Sequence, residues 1–232
     1  MVFVKLVILI SCIVPGILQQ FNKTPYFNSY LTSGCKTTYV TSLLHCGSLC
    51  NEENKVSFFY NPSKKLCRWD CLVLYLGNSS LEQSEWIRYE RSSKGNSALG
   101  RTASSSSTFD SIDPPSLAVD GILSSSVTEG HRCFVSQLEP SPFWQVDLGT
   151  VHSISFVRIY NRMDNTGERF RDASVLISVN GATFWNCGSF KGPGVTRQII
   201  DIACAKDTNG RFVKVQILNS YLQLCEVQVY TL

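Results

Sequence analysis

The sequence has little charge and little of the chemistry that enzymes use. Charged residues make up 17% of the 232, and the formal net charge is +3, with lysines and arginines scattered instead of run together. That balance excludes nucleic acid or an anionic membrane as the main partner. Only three histidines occur, His45, His131 and His152, and none stands in an HExxH or comparable spacing. There is no GxSxG elbow and no glycine-rich phosphate loop. No CxxC pair is present, so cysteine-ligated zinc is not expected. Beyond the first twenty residues no apolar run approaches the ~20 residues that a spanning helix needs. These absences predict a protein that binds without catalysing and does not insert into a membrane.

Cysteine is abundant. The first twenty residues, MVFVKLVILISCIVPGILQQ, read as a signal peptide, with Lys5 as the positive n-region, Leu6 to Val14 as the apolar h-region and Gly16 near a cleavage site. Of the ten cysteines, Cys12 lies in that leader and nine remain, a disulfide framework of the kind found in secreted chains. Nine is odd, so one thiol stays free or pairs between chains. Asn22-Lys-Thr and Asn78-Ser-Ser are glycosylation sequons and agree with the secretory route. Hydrophobic residues make up 44% of the chain, enough for packed cores.

The remaining cysteines fall into an early group (Cys35, Cys46, Cys50, Cys67, Cys71) and a late group (Cys133, Cys187, Cys204, Cys225). Between them RSSKGNSALGRTASSSS reads as a linker and an irregular entry to a second domain. In SLLHCGSLCNEEN, Cys46 and Cys50 stand at i and i+4, on one face of a short helix. VSFFYNP and LCRWDCLVLYL then read as strands. This arrangement resembles the PAN/apple module over about 35–89. It implies bonds from Cys46 or Cys50 to Cys67 or Cys71, and leaves Cys35 unpaired and available to link chains. The expected organisation is a signal peptide at 1–20, a PAN/apple-like cysteine-rich module at 21–89, a linker at 90–96 and a β domain at 97–232.

The late region is rich in strands. RFVKVQIL and CEVQVY alternate apolar and polar residues, and SISFVRIY and SVLISVN are β-branched runs punctuated by Asn and Gly turns. Many short strands predict a mainly β chain with a β-sandwich or jelly roll. Three segments, SLAVDG at 116–121, PFWQVDLGTVHSISFVRIYNRMDNTGER at 142–169 and LQLCEVQVY at 222–230, together resemble the F-type lectin (fucolectin) domain over about 95–232. The Arg-x-Asp-x4-Arg motif and the LCEV ending distinguish it from the wider discoidin-like sandwiches. The resemblance implies a secreted protein of recognition or adhesion whose partners are glycans or glycoproteins, fucosylated ones included, with homo-oligomers expected because weak sugar sites gain from multivalency.

Arg162 and Arg169 are then the sugar-contacting pair, each offering up to five donors in a fixed fork, and Asp164 holds one guanidinium in place. Val135 stands where the family carries a histidine, and valine cannot donate to a hydroxyl; His131 nearby is the candidate substitute. Asn165-Thr166 replaces an adjacent cysteine pair found in some members, so an apolar platform has to come from Val127, Phe134 or Val135. These departures leave an alternative, a protein-binding adhesion or matrix module that has lost the sugar site. The resemblance also implies a structural Ca2+ ion held by the carboxylates of Asp120 and Glu226 and the carbonyls of Leu117, Ile122 and Cys225, with Arg132 replacing a hydroxyl ligand. It pairs Cys133 with Cys225 and Cys187 with Cys204.

Overall fold

The computed structural model describes residues 21–24, 30–76, 85–123 and 133–232. The expected signal peptide, the Asn78 sequon, Val127, His131 and Arg132 lie outside the described residues. In chain order the strands are β1 (Phe21–Lys23), β2 (Tyr30–Ser33) and β3 (Lys36–Tyr39). Helix α1 (Leu43–Glu52) follows, then β4 (Ser57–Asn61), β5 (Leu66–Trp69), β6 (Leu72–Tyr75), β7 (Ile87–Arg91) and β8 (Lys94–Asn96). The C-terminal part contains β9 (Thr102–Ser105), β10 (Phe134–Val135), β11 (Phe143–Tyr160), β12 (Ala173–Ser178), β13 (Trp185–Phe190), β14 (Gln198–Ala203), β15 (Asn209–Gln216), β16 (Gln223–Leu224) and β17 (Glu226–Thr231).

The sandwich is organised by β11, which is long enough to serve both of its sheets. Its first half pairs with β9 and β15, and β12 and β13 continue that sheet. Its second half pairs with β14 and β17 in the other sheet. The register shifts between Asp147 and His152, where Gly149 takes φ +85° and its N–H donates to Asp147 Oδ1 at 2.8 Å. That left-handed residue lets the strand change direction without breaking. Alternation then fills the space between the sheets: Trp144, Val146, Val175, Ile177, Val213 and Val215 face Val157, Ile159, Ile200, Ile202, Val227 and Val229. Cys187 bonds Cys204 beside this core.

The N-terminal part is an antiparallel sheet in the order β1-β7-β4-β5-β3, with α1 on one face. Ser42 caps the helix, its hydroxyl accepting from His45 N at 3.2 Å. Cys46 and Cys50 both lie on the buried face with Val40, Phe58 and Trp69, as the i, i+4 spacing predicts. Their bonding differs from the expected pattern. Cys46 bonds Cys67, Cys35 bonds Cys71, and among the described residues Cys50 is the free thiol. The reason lies in the strand register. Lys36 pairs with Trp69 in the N-terminal sheet, whereas Ser33 pairs with Leu72 in an extension of the sandwich. Cys35 and Cys71 sit side by side where the chain crosses from one sheet to the other. Cys50 Sγ lies 3.5 Å from Ser57 O and 3.6 Å from Lys55 O, and burial pushes its thiol up to about 12.

The stretch expected as a linker is largely strand. Residues 90 and 91 end β7, and β8 pairs with β17. The N-terminal part also enters the sandwich directly, because β6 pairs with β14 and β2 with β6. Between the sheets lies a buried ion network. Arg158, on β11, donates to Asp201 at 2.6 and 2.8 Å and to Glu90, on β7, at 2.7 Å. Arg88 reaches Glu90 at 3.0 Å. Burial works against the Arg158 charge, but the Asp201 and Glu90 carboxylates outweigh it and hold its pKa well above the ordinary value. Replacing Arg158 with Ala leaves buried Glu90 and largely buried Asp201 with Arg88 as their remaining cation, at 3.0 and 3.6 Å. We expect the Arg158→Ala variant to lose about 3–5 kcal/mol in denaturant unfolding at neutral pH; a loss under about 1 kcal/mol would show that Arg88 alone neutralises the joint.

Candidate functional site

The residues of the Arg-x-Asp-x4-Arg motif occupy the turn between β11 and β12. Buried Asn161 fixes that turn from below: its Nδ2 donates to Gly167 O at 2.8 Å and to Val195 O at 3.0 Å. Arg197 N donates to Arg162 O at 2.7 Å. Thr166 is left-handed (φ 52°), and a Cβ on Gly167 would lie 2.2 Å from Thr196 N, so only glycine fits there. The turn is thus a backbone shape built from hydrogen bonds and one close approach.

On this frame Arg162 and Asp164 form a two-pronged ion pair, with Nε donating to Oδ1 and Nη2 to Oδ2 at 2.8 Å. The hydrogen bonds that Arg162 donates to Asp164 raise the Arg162 pKa, and the charge of buried Asp113 adds to the effect. Burial works against the Asp164 charge, but Arg162 and the Asn165 N–H outweigh it and hold the carboxyl below its ordinary value. The pair remains about a quarter exposed, so the guanidinium keeps donors for a ligand. Arg169 lies with its guanidinium 5.1 Å from the centroid of Tyr221.

The turn borders the ribbon of β10 and β16, in which Phe134 lies opposite Leu224 and Val135 opposite Gln223. Thr166 Oγ1 donates to Gln223 Oε1 at 3.5 Å, and the Cys133–Cys225 disulfide flanks the ribbon. Val135 therefore faces the same end of the molecule as the arginines. Phe134 does not: it is fully buried in the sandwich core and cannot serve as the expected platform, because strand alternation turns it inward when Val135 turns outward. His131 and Val127 lie outside the described residues. Sequence reasoning missed two aromatic neighbours. Tyr221 immediately precedes the quoted LQLCEVQVY segment, and Phe109 stands just beyond the Ser-rich stretch RSSKGNSALGRTASSSS; its N–H donates to Val135 O at 2.8 Å.

The expected metal ligands surround a second feature. The 3-10 turn Pro115–Val119 carries Leu117 and ends at Asp120, whose Oδ1 accepts from Ile122 N at 2.8 Å. Gly121 N donates to Glu226 Oε2 at 3.3 Å. Glu226 is fully buried, and its Oε1 has no hydrogen-bond partner. Burial pushes its carboxyl up to about 8, against the Gly121 hydrogen bond and with a smaller contribution from Asp120. A buried carboxylate with an orphaned oxygen and a second carboxylate nearby suits a hard cation such as Ca2+. Among the described residues no group of three or more acidic, histidine or cysteine side chains that could hold a metal ion occurs.

The depressed Asp164 pKa gives a signed prediction. The pair contributes stability above the unfolded carboxylate value of about 3.9 and loses it as pH falls through the lower folded value. The stability difference between the wild type and an Asp164→Asn variant should be constant above about pH 4 and shrink below it, as measured by thermal unfolding. A difference that grows on acidification would contradict the pairing.

Comparison with known proteins agrees with this geometry. The NedA-like, galactose-binding domain family matches residues 117–215. Fucolectin-5 of Anguilla japonica is 37% identical over 125 residues, covering 51% of this chain and 64% of the eel protein, somewhat under two thirds of its length. Fucolectin-1 of the same species is 36% identical over 123 residues, covering 51% of this chain and 68% of that protein. Among solved structures, the lectin domain of lectinolysin complexed with Lewis B antigen superposes with a TM-score of 0.54 at 27% identity, over 61% of this chain and 99% of that domain. With the sandwich, the Arg162–Asp164 turn and the Cys133–Cys225 bond in place, the chain belongs to the fucolectin family.

Proposed function

We propose that this chain is a secreted lectin, without catalytic activity, that binds glycans at the sandwich end formed by Arg162, Asp164 and Arg169, with fucosylated glycans as its first ligands. The observation that carries the reading is the Arg162 fork, held at fixed angle by Asp164 on a turn that hydrogen bonds make rigid. Charge-assisted bonds from a preset guanidinium to sugar hydroxyls are stronger than neutral ones and need little reordering on binding. Relatives at 36–37% identity are named fucolectins, and the lectinolysin domain was solved with a Lewis antigen. Among the described residues no helix is long and apolar enough to cross a membrane.

The N-terminal sheet and helix act as a PAN/apple-like module in this reading, supported by the Cys46–Cys67 bond from helix to strand. Homo-oligomers form without a Cys35 bridge, since Cys35 is bonded to Cys71. A Ca2+ ion supplies the positive charge that Glu226 and Asp120 otherwise lack and stiffens the turn that carries Leu117 and Ile122. One observation favours a second reading, a protein-binding module that has lost its sugar site: Val135 offers no donor to a hydroxyl.

Glycan-array binding by the oxidised protein, with calcium and with free L-fucose as competitor, separates the two. The lectin reading expects fucose-inhibited binding that Arg162→Glu abolishes, and loss of one charged hydrogen bond, about 1.5–3 kcal/mol, corresponds to about ten- to a hundred-fold in affinity. No binding at high protein density would favour the protein-binding reading. For the cation, calcium at a hundred times its dissociation constant should stabilise the protein by about 2.7 kcal/mol. That gain, read as a shift in thermal unfolding with calcium against chelator, should disappear in Glu226→Gln; an equal shift in the variant would place the ion elsewhere.

A further inference from the structure

On the outward face of the sheet that contains β13, β12, β15, the first half of β11 and β9, a lysine stands between two aromatic rings. Strand alternation sends Trp144, Val146, Val213 and Val215 into the core, so Phe143, Gln145, Lys214 and Gln216 point out of the sandwich. Lys214 Nζ lies 3.8 Å from the centroid of Phe184 and 4.5 Å from that of Phe143. The loop before Phe184 is fixed: Gly181 N donates to Ser178 Oγ at 2.9 Å, and Asn180 Oδ1 accepts from Ala182 N and Thr183 N at 2.9 and 3.0 Å. Gln145 stands opposite Lys214, and Gln216 opposite Phe143. Among the described residues no carboxylate pairs with Lys214, and burial alone lowers its pKa. Asp147, further along β11, accepts two hydrogen bonds from Arg211 instead. The Gln145 and Gln216 carboxamides likewise have no hydrogen-bond partner among the described residues. The N-terminal part joins the other sheet, and all of these side chains remain partly exposed.

A half-buried ammonium without a carboxylate is an unfavourable place for charge, and an arriving anion relieves it. The two rings occupy two sides of the ammonium, and its three donors leave one for an acceptor. The free carboxamides on either side both donate and accept, as pairing with hydroxyls requires. A ligand suited to this face therefore brings an anionic group, several hydroxyls and an apolar C–H surface for the rings. An acidic peptide supplies the charge without the hydroxyls; an anionic sugar supplies all three. We propose that this face is a second binding site, sharing no residue with the arginine turn, for a sugar that bears a carboxylate or sulfate group. The anionic group bonds Lys214 Nζ, ring hydroxyls bond Gln145 and Gln216, and C–H groups pack on the exposed parts of Phe143 and Phe184. The site stands whether or not Arg162 and Arg169 bind fucose.

Titration calorimetry on the whole oxidised chain tests this with a heparin octasaccharide, which carries sulfates and carboxylates, and a hyaluronan octasaccharide, which carries carboxylates alone. Binding of both identifies the carboxylate as the recognised group; binding of heparin alone identifies the sulfate. Lys214→Met keeps an apolar stem between the rings and removes the charge. It should weaken binding by about tenfold or more, the loss of one charged hydrogen bond, with thermal unfolding unchanged. Should that variant be destabilised, Gln145→Ala, which alters no charge, should still weaken binding by about threefold to tenfold. Lys94→Met, which removes an exposed cation on β8, and Arg162→Gln at the other site should both leave the affinity unchanged. An equal loss in Lys94→Met would reduce the effect to diffuse charge and overturn the site. A loss in Arg162→Gln with none in Lys214→Met would move the anion to the arginine turn, with the same consequence. Failure of both octasaccharides to bind, or a glutamate octapeptide binding as tightly as they do, would also overturn it, the latter in favour of an acidic protein partner.

Discussion

The second half of β11 is buried on both faces, from Ile154 to Tyr160, and Arg158 lies in the middle of it. Aliphatic neighbours can cover Val157 and Ile159 from inside the sandwich, but a buried guanidinium on the opposite face needs carboxylates around it to neutralise its charge and accept from its donors. Asp201 on β14 supplies one carboxylate and Glu90 on β7 the other. The second comes from the N-terminal part, which explains why that part does not hang from a linker. It contributes β6 and β2 to the sandwich sheet and β8 beside β17, while the stacked Phe156 and Tyr230 rings flank Arg158. At the end of this doubly buried strand buried Asn161 holds the turn from below and Arg162 reaches the surface. The candidate sugar site is therefore carried on the most constrained strand of the molecule, a sound base for groups that must hold their geometry.

Three acidic centres show how environment assigns different roles to the same functional group. Asp201 is buried and paired, and serves the joint between the two parts. Asp164 is partly exposed and paired, and aims an arginine at solvent. Glu226 is buried with one oxygen unpartnered, so its environment lacks positive charge. The first two keep their proton off because a guanidinium is within hydrogen-bond distance. The third has only a backbone N–H, and burial wins.

Much of the candidate site was legible in linear order. Arg162, Asp164 and Arg169 lie within one turn, so their spacing alone brings them together, and the Cys133–Cys225 and Cys187–Cys204 bonds agree with the pairing that the family resemblance implies. The aromatic neighbours Phe109 and Tyr221 were not legible. Phe109, Val135 and Tyr221 are far apart in sequence and meet only because β10 pairs with β16 and Phe109 bonds to Val135. Phe134 and Val135 look interchangeable as platform candidates until the pairing decides which of the two points inward.

By itself the sequence determined the local features: alternating strands, a helix presenting Cys46 and Cys50 on one face, the Arg-x-Asp-x4-Arg turn, and a composition without catalytic motifs. These follow from periodicity and from contacts a few residues apart. The tertiary structure alone decided which cysteine stays free, since Cys35 meets Cys71 only through the crossover between two sheets. It also decided that residues 90–96 are largely strand, with Glu90 bonded to Arg158 on a strand more than sixty residues away in the chain. Long-range pairing and the neutralisation of buried charge depend on partners that no local pattern names.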